Sequence, residues 1–377
     1  MGFASGSVSF RRFSVIGQVP TALDQSLLDK LKEAAFKSQE LGMPEETEYG
    51  WCGGSNVFDN EFSFANNVYA DCLVFGLRID TKKVPGNIRA AYRQNEERVL
   101  AAGDPSGFIS KIQRRDARET AKQRVEQEMR EGKHRRSRMI AVLWDVTAQT
   151  LYASVTGKAF EILSEIFERT FGFTLHAITP SVQASRILSQ RDYEDLRPTR
   201  FVPGPEGDSQ YPEYPWVSKG PDPKAFLGNE FLVWLCHREQ EEKDFDGIAV
   251  FVDRQLDMDC AYGQTGRDTF RGDGPSRARE AREAFRSGKV PRKLGMLLNA
   301  HKQDYSLTLS GDLTVTAAKL PTVEDAETPR VLFEERIASL RDLSDTLTNL
   351  FNQFMAVRGS SSRWNSRVDA VRKWLKA

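Results

Sequence analysis

The sequence predicts an α+β protein with mixed or antiparallel sheets and long charged helices. Three strand-like segments follow one another between residues 294 and 319 with only short turns between them, which is typical of antiparallel sheets. Two further strand-like segments bracket a short turn near residues 145–149, and a highly charged helical stretch covers about residues 86–131. Together these features predict the α+β class.

The first part of the chain predicts two strands, a helix and a turn. In order, these are strand Val8–Ile16, helix 24–36, a glycine-bounded turn region at 47–54 and strand 69–79. The helix places Leu27, Leu28 and Leu31 on one face. Pro85 then opens the charged helical stretch, which is interrupted near residues 103–107. Because the second half of this stretch has few apolar residues along any one helical face, we expect it to form a helical arm on the surface.

The middle of the chain predicts a β-hairpin, an amphipathic helix and a proline-rich insertion. Residues 139–144 and 150–156 form the hairpin, Gly172 ends the helix Lys158–Phe171, and residues 176–180 form a short strand. Residues 196–228 carry seven prolines and four glycines. This composition sustains neither a helix nor a central strand, so it predicts a linker or a long insertion.

The last part of the chain predicts alternating short elements and one long helix. They are helix 229–238, strands 247–252 and 257–262, basic helix 276–287, strands 294–300, 304–310 and 313–319, and a helix over about 330–357. We therefore expect five parts: 1–84 (N-terminal α/β part), 85–183 (charged arm, hairpin and helix), 184–228 (insertion or linker), 229–357 (C-terminal α+β part) and 358–377 (basic tail).

The cysteines and the apolar runs bear on the cellular compartment. Cys52, Cys72, Cys236 and Cys260 lie far apart, without a CxxC pair, which fits buried free thiols in a reducing cytoplasm. The longest apolar runs are too short to span a bilayer, and the first residues lack a signal-peptide core. We expect a cytoplasmic, nucleoid-associated protein with no membrane partner.

Charge is balanced overall but segregated along the chain. The 53 Lys and Arg residues equal the 53 Asp and Glu residues in number, yet residues 111–138 hold 11 basic against 5 acidic side chains. Residues 267–293 hold 9 against 4. A neutral protein that gathers its bases into segments can still present a cationic surface to a polyanion. We therefore expect a nucleic acid as a partner, bound through its phosphates.

Three groups of basic residues are the candidate DNA contacts. The arm group is Arg114, Arg115, Arg118 and Lys122. The group where the arm gives way to a strand is Lys133, Arg135, Arg136 and Arg138. The third group, on and after a second helix, is Arg279, Arg282, Arg286, Lys289, Arg292 and Lys293. A salt-bridged or solvated face is the alternative interpretation of each group. Few aromatic residues interleave with these bases, so we expect backbone contacts, little sequence specificity and steep salt dependence.

Two other functions stay open. The acidic cluster 244–259, with Asp244, Asp246, Asp253, Asp257 and Asp259, suggests a metal-dependent nuclease or nuclease subunit, although its spacing matches no metal loop and a solvated acidic face is the favoured interpretation. The proline-rich insertion and the basic tail suggest a protein–protein adaptor. No P-loop, GxSxG motif or paired histidines occur, so the residues point to no catalytic group, cofactor or metal.

Several segments, in order, resemble a known family. They are Gly50-Trp51, CLVFGLRIDTKKVPGNIRAAY at 72–92, HRRSR before MIAVLWDVTAQTLYA at 134–153, SGKVPRKLGM at 287–296 and IASLRDLSDTLTNLFNQF at 337–354. This series is similar to the recombination-associated protein RdgC family of bacteria, with SGKVPRKL as its most specific element.

The resemblance implies a ring-forming homodimer that holds double-stranded DNA in a positively charged central hole. Members of this family are not known as enzymes; they modulate recombination and replication by occupying DNA, and recombination or defence proteins are possible further partners. Arg135, Arg136 and Arg138 fall in the family's basic stretch, and Lys289 and Lys293 match lysines of its GKV…KL element. One ring contact lies near 133–138, where His134 stands in place of an aromatic residue that is frequent in the family.

Overall fold

The computed structural model describes residues 2–37, 47–104, 107–202, 222, 224–241, 245–260, 266–322 and 326–376. Within them the protein is α+β, with eleven α-helices and one large antiparallel sheet of twelve strands. The strands are β1 (Val8–Ile16), β2 (Thr47–Cys52), β3 (Val68–Tyr69), β4 (Cys72–Lys82), β5 (Arg135–Asp145), β6 (Thr150–Ala153), β7 (Thr174–Ala177), β8 (Ile248–Cys260), β9 (Arg267–Gly272), β10 (Lys289–Ala300), β11 (Gln303–Ser310) and β12 (Val315–Lys319).

The helices lie mostly between strands or at the C-terminal end of the chain. They are α1 (Gln25–Glu33), α2 (Phe64–Asn67), α3 (Gly86–Ala102), α4 (Lys111–Arg130), α5 (Lys158–Phe171), α6 (Pro180–Ile187), α7 (Gln190–Asp195), α8 (Phe226–Glu241), α9 (Arg279–Arg286), α10 (Pro329–Arg358) and α11 (Ser361–Lys376). Short 3-10 helical turns cover Gly2–Ala4 and Pro275–Arg277.

Strand β1 joins two halves of the sheet. The strand order is β2-β4-β5-β6-β1-β12-β11-β10-β8-β9, with β3 beside β4 and β7 beside β1. Val8 and Phe10 pair with β12, whereas residues 11–16 pair with β6 and β7. One continuous strand therefore belongs to an N-terminal half, which contains β2 to β7, and to a C-terminal half, which contains β8 to β12.

Helices cover both faces of the N-terminal half. Leu73 and Phe75 of β4 point into a core that contains α1 and α5, while Cys72 and Val74 point into the core that contains α10. Burial on both faces explains why β4 reads as a nearly continuous apolar run. Trp144 closes the α5 core, with its ring 5.2 Å from that of Phe167.

The C-terminal half packs one face against α8, α10 and α11. The Phe231 ring of α8 meets the Phe351 ring of α10 at 5.2 Å, and Trp234 meets Phe245 at 5.5 Å. Strands β8 and β11 alternate buried and more exposed residues, as expected for strands with one covered face. The core therefore lies between this sheet face and the C-terminal helices.

The segment expected to be a basic tail is an ordered helix of the fold. In α11, Trp364, Val368, Val371 and Leu375 are buried, at spacings that place them on one helical face. Before it, the Arg358 guanidinium donates to Glu230 of α8 at 2.5 Å, and both side chains are buried. Helix α11 thus packs onto the C-terminal half and extends its core.

Most predicted elements are confirmed, and some predictions are wrong. Residues 47–52 form strand β2 and not a turn, because they pair with β4 from Thr47 opposite Thr81 to Cys52 opposite Gly76. The two predicted strands 247–252 and 257–262 are one strand, β8, in which Arg254 adopts a positive φ of 65° at an irregularity. Strand β9 was not predicted, and most of 196–228 lies outside the described residues.

Candidate nucleic-acid interface

Helices α3 and α4 form the predicted charged arm, and few of their side chains are buried. Ser110 caps α4 through a reciprocal capping box with Gln113. The only buried residues of α4 are Ala117 and Ala121, while α3 has none. Because small residues mark the contact between the helices, the long charged side chains of α4 extend into solvent.

One face of α4 carries the cations predicted from the sequence. Arg114, Arg118 and Lys122 lie four residues apart, which places a cation every ~6 Å along the helix. Lys122 lies 3.9 Å from Glu126, and Arg115 lies 3.8 Å from Asp116. Arg114 and Arg118 are exposed and form no ion pair with any residue that the structure describes. They are the cations of this face whose charge is least compensated.

The segment 133–138 is less cationic than the sequence predicted. The Lys133 ammonium lies 2.7 Å from Glu131, and this hydrogen bond raises the pKa of Lys133. His134 lies 3.0 Å from Glu128. Acidic partners therefore come from the preceding turn and from α4 and reduce the free charge of this segment, while the DNA contact of Lys133 stays a prediction.

Arg135 belongs to a buried ionic cluster on one face of the N-terminal half. Its guanidinium lies 2.5 Å from Asp80, and Arg78 donates to the same carboxylate at 3.0 and 2.8 Å. Lys82 lies 2.5 Å from Glu48. We call these five residues the ionic cluster. It combines three cations with two carboxylates, and it fixes Arg135 against the sheet, contrary to the prediction that this side chain projects into solvent.

Hydrogen bonds and an aromatic ring keep the ionic cluster charged despite burial. Burial opposes ionisation of Asp80, but hydrogen bonds from Arg78, Ser137 and Arg135 outweigh it and hold the pKa of Asp80 below its usual value. The Phe36 ring covers the Arg78 guanidinium at 4.0 Å. The alternation R-x-D-x-K in β4 was the sequence signal for this cluster, because strand periodicity places all three side chains on one face.

Arg136 and Arg138 are the exposed cations of the second group. Both lie in the part of β5 that pairs with β4 on one side only, since β6 pairs with β5 from residue 142 onward. They are exposed and form no ion pair within the described ranges. The sheet edge here is therefore basic and directly follows the arm in sequence.

Local carboxylates neutralise much of the third group. Lys289 lies 2.5 Å from Asp268, and Arg292 lies 2.7 Å from Asp259. Arg286 donates to the backbone carbonyl of Leu375. Arg286, Lys289 and Arg292 therefore offer less free charge than the sequence suggests, and their contact with DNA stays a prediction. Arg282 is half-buried, while Arg279 and Lys293 are exposed and without an ion pair in the described part of the chain.

The structure does not bring the basic groups together in one chain. Strands β5 and β10 are five strand spacings apart in the sheet order, which is about 24 Å across the sheet. The arm and the β5 edge belong to the N-terminal half, whereas the third group belongs to the C-terminal half. We call Arg114, Arg118, Arg136 and Arg138 the arm–edge arginines.

The acidic residues 246–259 are partly paired with bases. Asp259 lies 2.7 Å from Arg292 and 3.7 Å from Arg267, and Asp253 lies 3.4 Å from Arg254. Asp244 lies outside the described residues. Among those described, no group of three or more His, Cys, Asp or Glu side chains is arranged to hold a metal ion.

Comparison with known proteins adds no relative to this description. The chain matches no protein-family model and no curated protein sequence. In the described part of the chain, every helix is too short or too polar to cross a membrane.

Proposed function

We propose that the protein binds double-stranded DNA through its phosphates, without sequence specificity, as a homodimeric ring of the RdgC type. It is non-enzymatic in this proposal and modulates recombination or replication by occupying DNA in the cytoplasm, at the nucleoid. The observation that carries the proposal is the set of arm–edge arginines, which are exposed and lack ion pairs among the described residues.

Exposed, unpaired arginines suit a phosphate backbone for an electrostatic reason. Each one that contacts a phosphate releases a condensed counterion, so affinity falls steeply with salt. A cation already held by a carboxylate must lose that partner first. The arm–edge arginines therefore favour DNA contact more than Arg135, Lys289 or Arg292 does.

The tip of the arm supports the dimeric part of the proposal. Val99 of α3 is 68% exposed, Ile112 of α4 is 67% exposed, and Phe108 between them is 80% exposed. The exposed Val99 and Ile112 lie where α3 ends and α4 begins, and we propose that a second copy of the chain covers them there. The resemblance to the RdgC family implies ring contacts at two ends of the subunit, one of them near 133–138, and we propose the arm tip as the other.

The DNA part is tested with a variant in which all four arm–edge arginines become alanine. Its affinity for a short duplex is measured by fluorescence anisotropy across a salt series, with Mg²⁺ present and the DNA inspected for cutting. The matched control changes Lys302, Lys319, Arg363 and Lys373 to alanine, because these four exposed cations lie elsewhere and remove the same charge.

Four lost phosphate contacts predict a drop of about 3.6 in the magnitude of the slope of log affinity against log salt. The control is expected to keep the wild-type slope. Equal slopes for the two variants would exclude the arm–edge arginines as the interface. Cutting of the DNA would instead support a nuclease, and no binding at low salt would support the adaptor.

The dimer part is tested by sedimentation velocity of the Val99→Asp, Ile112→Asp double variant. Wild type is expected at twice the 42.6 kDa mass of the chain, and the variant at that mass. Ile187→Asp with Val331→Asp is the matched control, since these apolar residues are exposed elsewhere. A variant that remains dimeric would contradict closure at the arm tip.

A further inference from the structure

A polar cavity lies where the two halves of the molecule meet. It has a volume of about 370 Å³ and is lined by residues of β1, β6, α6 and α10 and of the turns near Asp71 and Asp145. Of its fourteen lining residues, only Ala148 and Ile178 are apolar. Its volume suits a small molecule, and twelve of its lining residues carry polar side-chain groups, although apolar atoms form much of the wall.

One arginine of the lining already has its counter-ions. The Arg341 Nε donates to Asp145 Oδ2 at 2.6 Å, and another nitrogen of the same guanidinium donates to Asp71. Burial opposes ionisation of Asp71, but hydrogen bonds from Arg341 and Thr147 and the charge of Arg341 together outweigh it and lower the pKa of Asp71. Three of the six charged groups around the cavity therefore satisfy one another.

A second arginine is buried with no described carboxylate at ion-pair distance, although Asp345 of the same lining attracts it electrostatically. Arg12 is 4% exposed, and its Nη1 donates to the Ser344 carbonyl at 2.8 Å and to Thr348 Oγ1 at 2.6 Å. It forms no ion pair with any described residue, and its buried Nε has no hydrogen-bond partner. A buried guanidinium in this state is costly, and an anion in the cavity would offset that cost.

Two more side chains complete the arrangement. Arg186 is exposed at the rim, and its guanidinium donates to Ser14 Oγ at 2.8 Å. Gln183 is 6% exposed, and its buried Oε1 accepts no hydrogen bond from the described residues. With Arg341, Asp71 and Asp145 paired, Arg12 and Arg186 face one remaining carboxylate, that of Asp345. The three arginines and three aspartates of the lining cancel in formal charge, so the positive potential is local to Arg12 and Arg186, and Gln183 adds one unused acceptor.

We propose that this cavity binds a small phosphate monoester that carries hydroxyl groups, the chemistry shared by sugar phosphates and nucleotides. The phosphate lies against Arg12 and Arg186, and a ligand hydroxyl donates to Gln183 Oε1. A free small molecule is the occupant, and the site does not depend on DNA binding at the arm. Because β1 and α10 both line the cavity, the ligand stabilises the contact between the two halves.

The test is isothermal titration calorimetry of the full chain with inorganic phosphate, glycerol phosphate and adenosine monophosphate. Saturable binding of an ester, tighter than that of inorganic phosphate, is expected. Arg186→Gln is expected to weaken ester binding about tenfold or more, because it removes a hydrogen bond to a charged group. Arg363→Gln removes the same charge from an exposed position of α11 and is expected to leave binding unchanged.

A second variant, Gln183→Glu, adds a carboxylate to the cavity wall. It is expected to abolish ester binding. Its melting temperature is measured to show that the fold is intact. Three results would overturn the proposal: no saturable binding by any ester, equal effects of Arg186→Gln and Arg363→Gln, or equal affinities for inorganic phosphate and both esters. Displacement of a bound ester by a short DNA duplex would also overturn it, since the phosphates would then belong to DNA.

Discussion

The ionic cluster offers a sharp test of how the N-terminal half is held together. Asp80 is fully buried and accepts hydrogen bonds from both Arg78 and Arg135. Asp80→Asn keeps the shape of the side chain and removes its charge. The cluster then holds three cations and a single carboxylate, that of Glu48. The substitution therefore probes electrostatics without creating a cavity.

The expected loss of unfolding free energy is about 3–5 kcal/mol, the cost of removing one partner from a buried ion pair. It is measured by urea unfolding at pH 7. The control is Asp29→Asn, because Asp29 pairs with Lys32 at 3.7 Å on the surface of α1. Exposed pairs of this kind contribute about 0–1 kcal/mol, so the control is expected to unfold nearly as wild type does.

The effect of Asp80 depends on pH with a definite sign. The folded protein holds the pKa of Asp80 below its usual value, so the carboxylate stabilises the fold above the unfolded-state pKa of about 3.9. This stabilisation is lost as pH falls through the folded pKa. The difference between wild type and Asp80→Asn is therefore expected to narrow below about pH 4. A loss under about 1 kcal/mol at pH 7, equal to the surface control, would refute the electrostatic account.

Three other outcomes follow from the packing and the charges. Trp364→Ala is expected to cost about 3–5 kcal/mol in urea unfolding, because a buried aromatic ring anchors α11. Burial raises the pKa of Cys52 to about 11, so a thiol reagent at pH 8 is expected to label the half-buried Cys260 first in the native protein. Asp259→Asn frees two arginines and is expected to steepen the salt dependence of DNA binding; an unchanged slope would place that strand surface outside the DNA contact.

Sequence periodicity correctly predicted elements that bury one regular apolar face. Helix α5 has one apolar face and ends at Gly172, which adopts a positive φ of 79°, so its bounds were predicted correctly. Strand β1 was also predicted with its observed bounds. Strand β2 was not predicted because GWCGG resembles a turn, whereas pairing with β4 decides the conformation of this segment. In the same way, the apolar residues of α11 were overlooked because its composition is basic.

The candidate site was predicted only in part, because charge pairing is a property of three dimensions. Sequence could place Arg136 and Arg138 in a basic segment, but it could not show that Arg135 turns towards Asp80. The two arginines in the middle of β1 were a visible signal, since consecutive charges are unusual in an apolar strand. One of them, Arg12, lines the cavity between the two halves of the sheet. Its position there depends on a hydrogen bond to Ser344, which lies more than 300 positions away in the sequence.

Counting Lys and Arg residues along the chain overestimates the cationic surface of the folded protein. The error has this sign because folding pairs many of these side chains with carboxylates. A strand or helix that is rich in bases folds against acidic neighbours because a buried or half-buried cation needs a counter-ion. Lys289 and Arg292 obtain theirs from Asp268 and Asp259. Cations remain uncompensated only where the fold leaves a surface without neighbours, as at a projecting arm or a sheet edge. In this protein Arg114 and Arg118 lie on the arm and Arg136 and Arg138 on the sheet edge, which is why we propose a polyanion partner for the N-terminal half and not for residues 287–294.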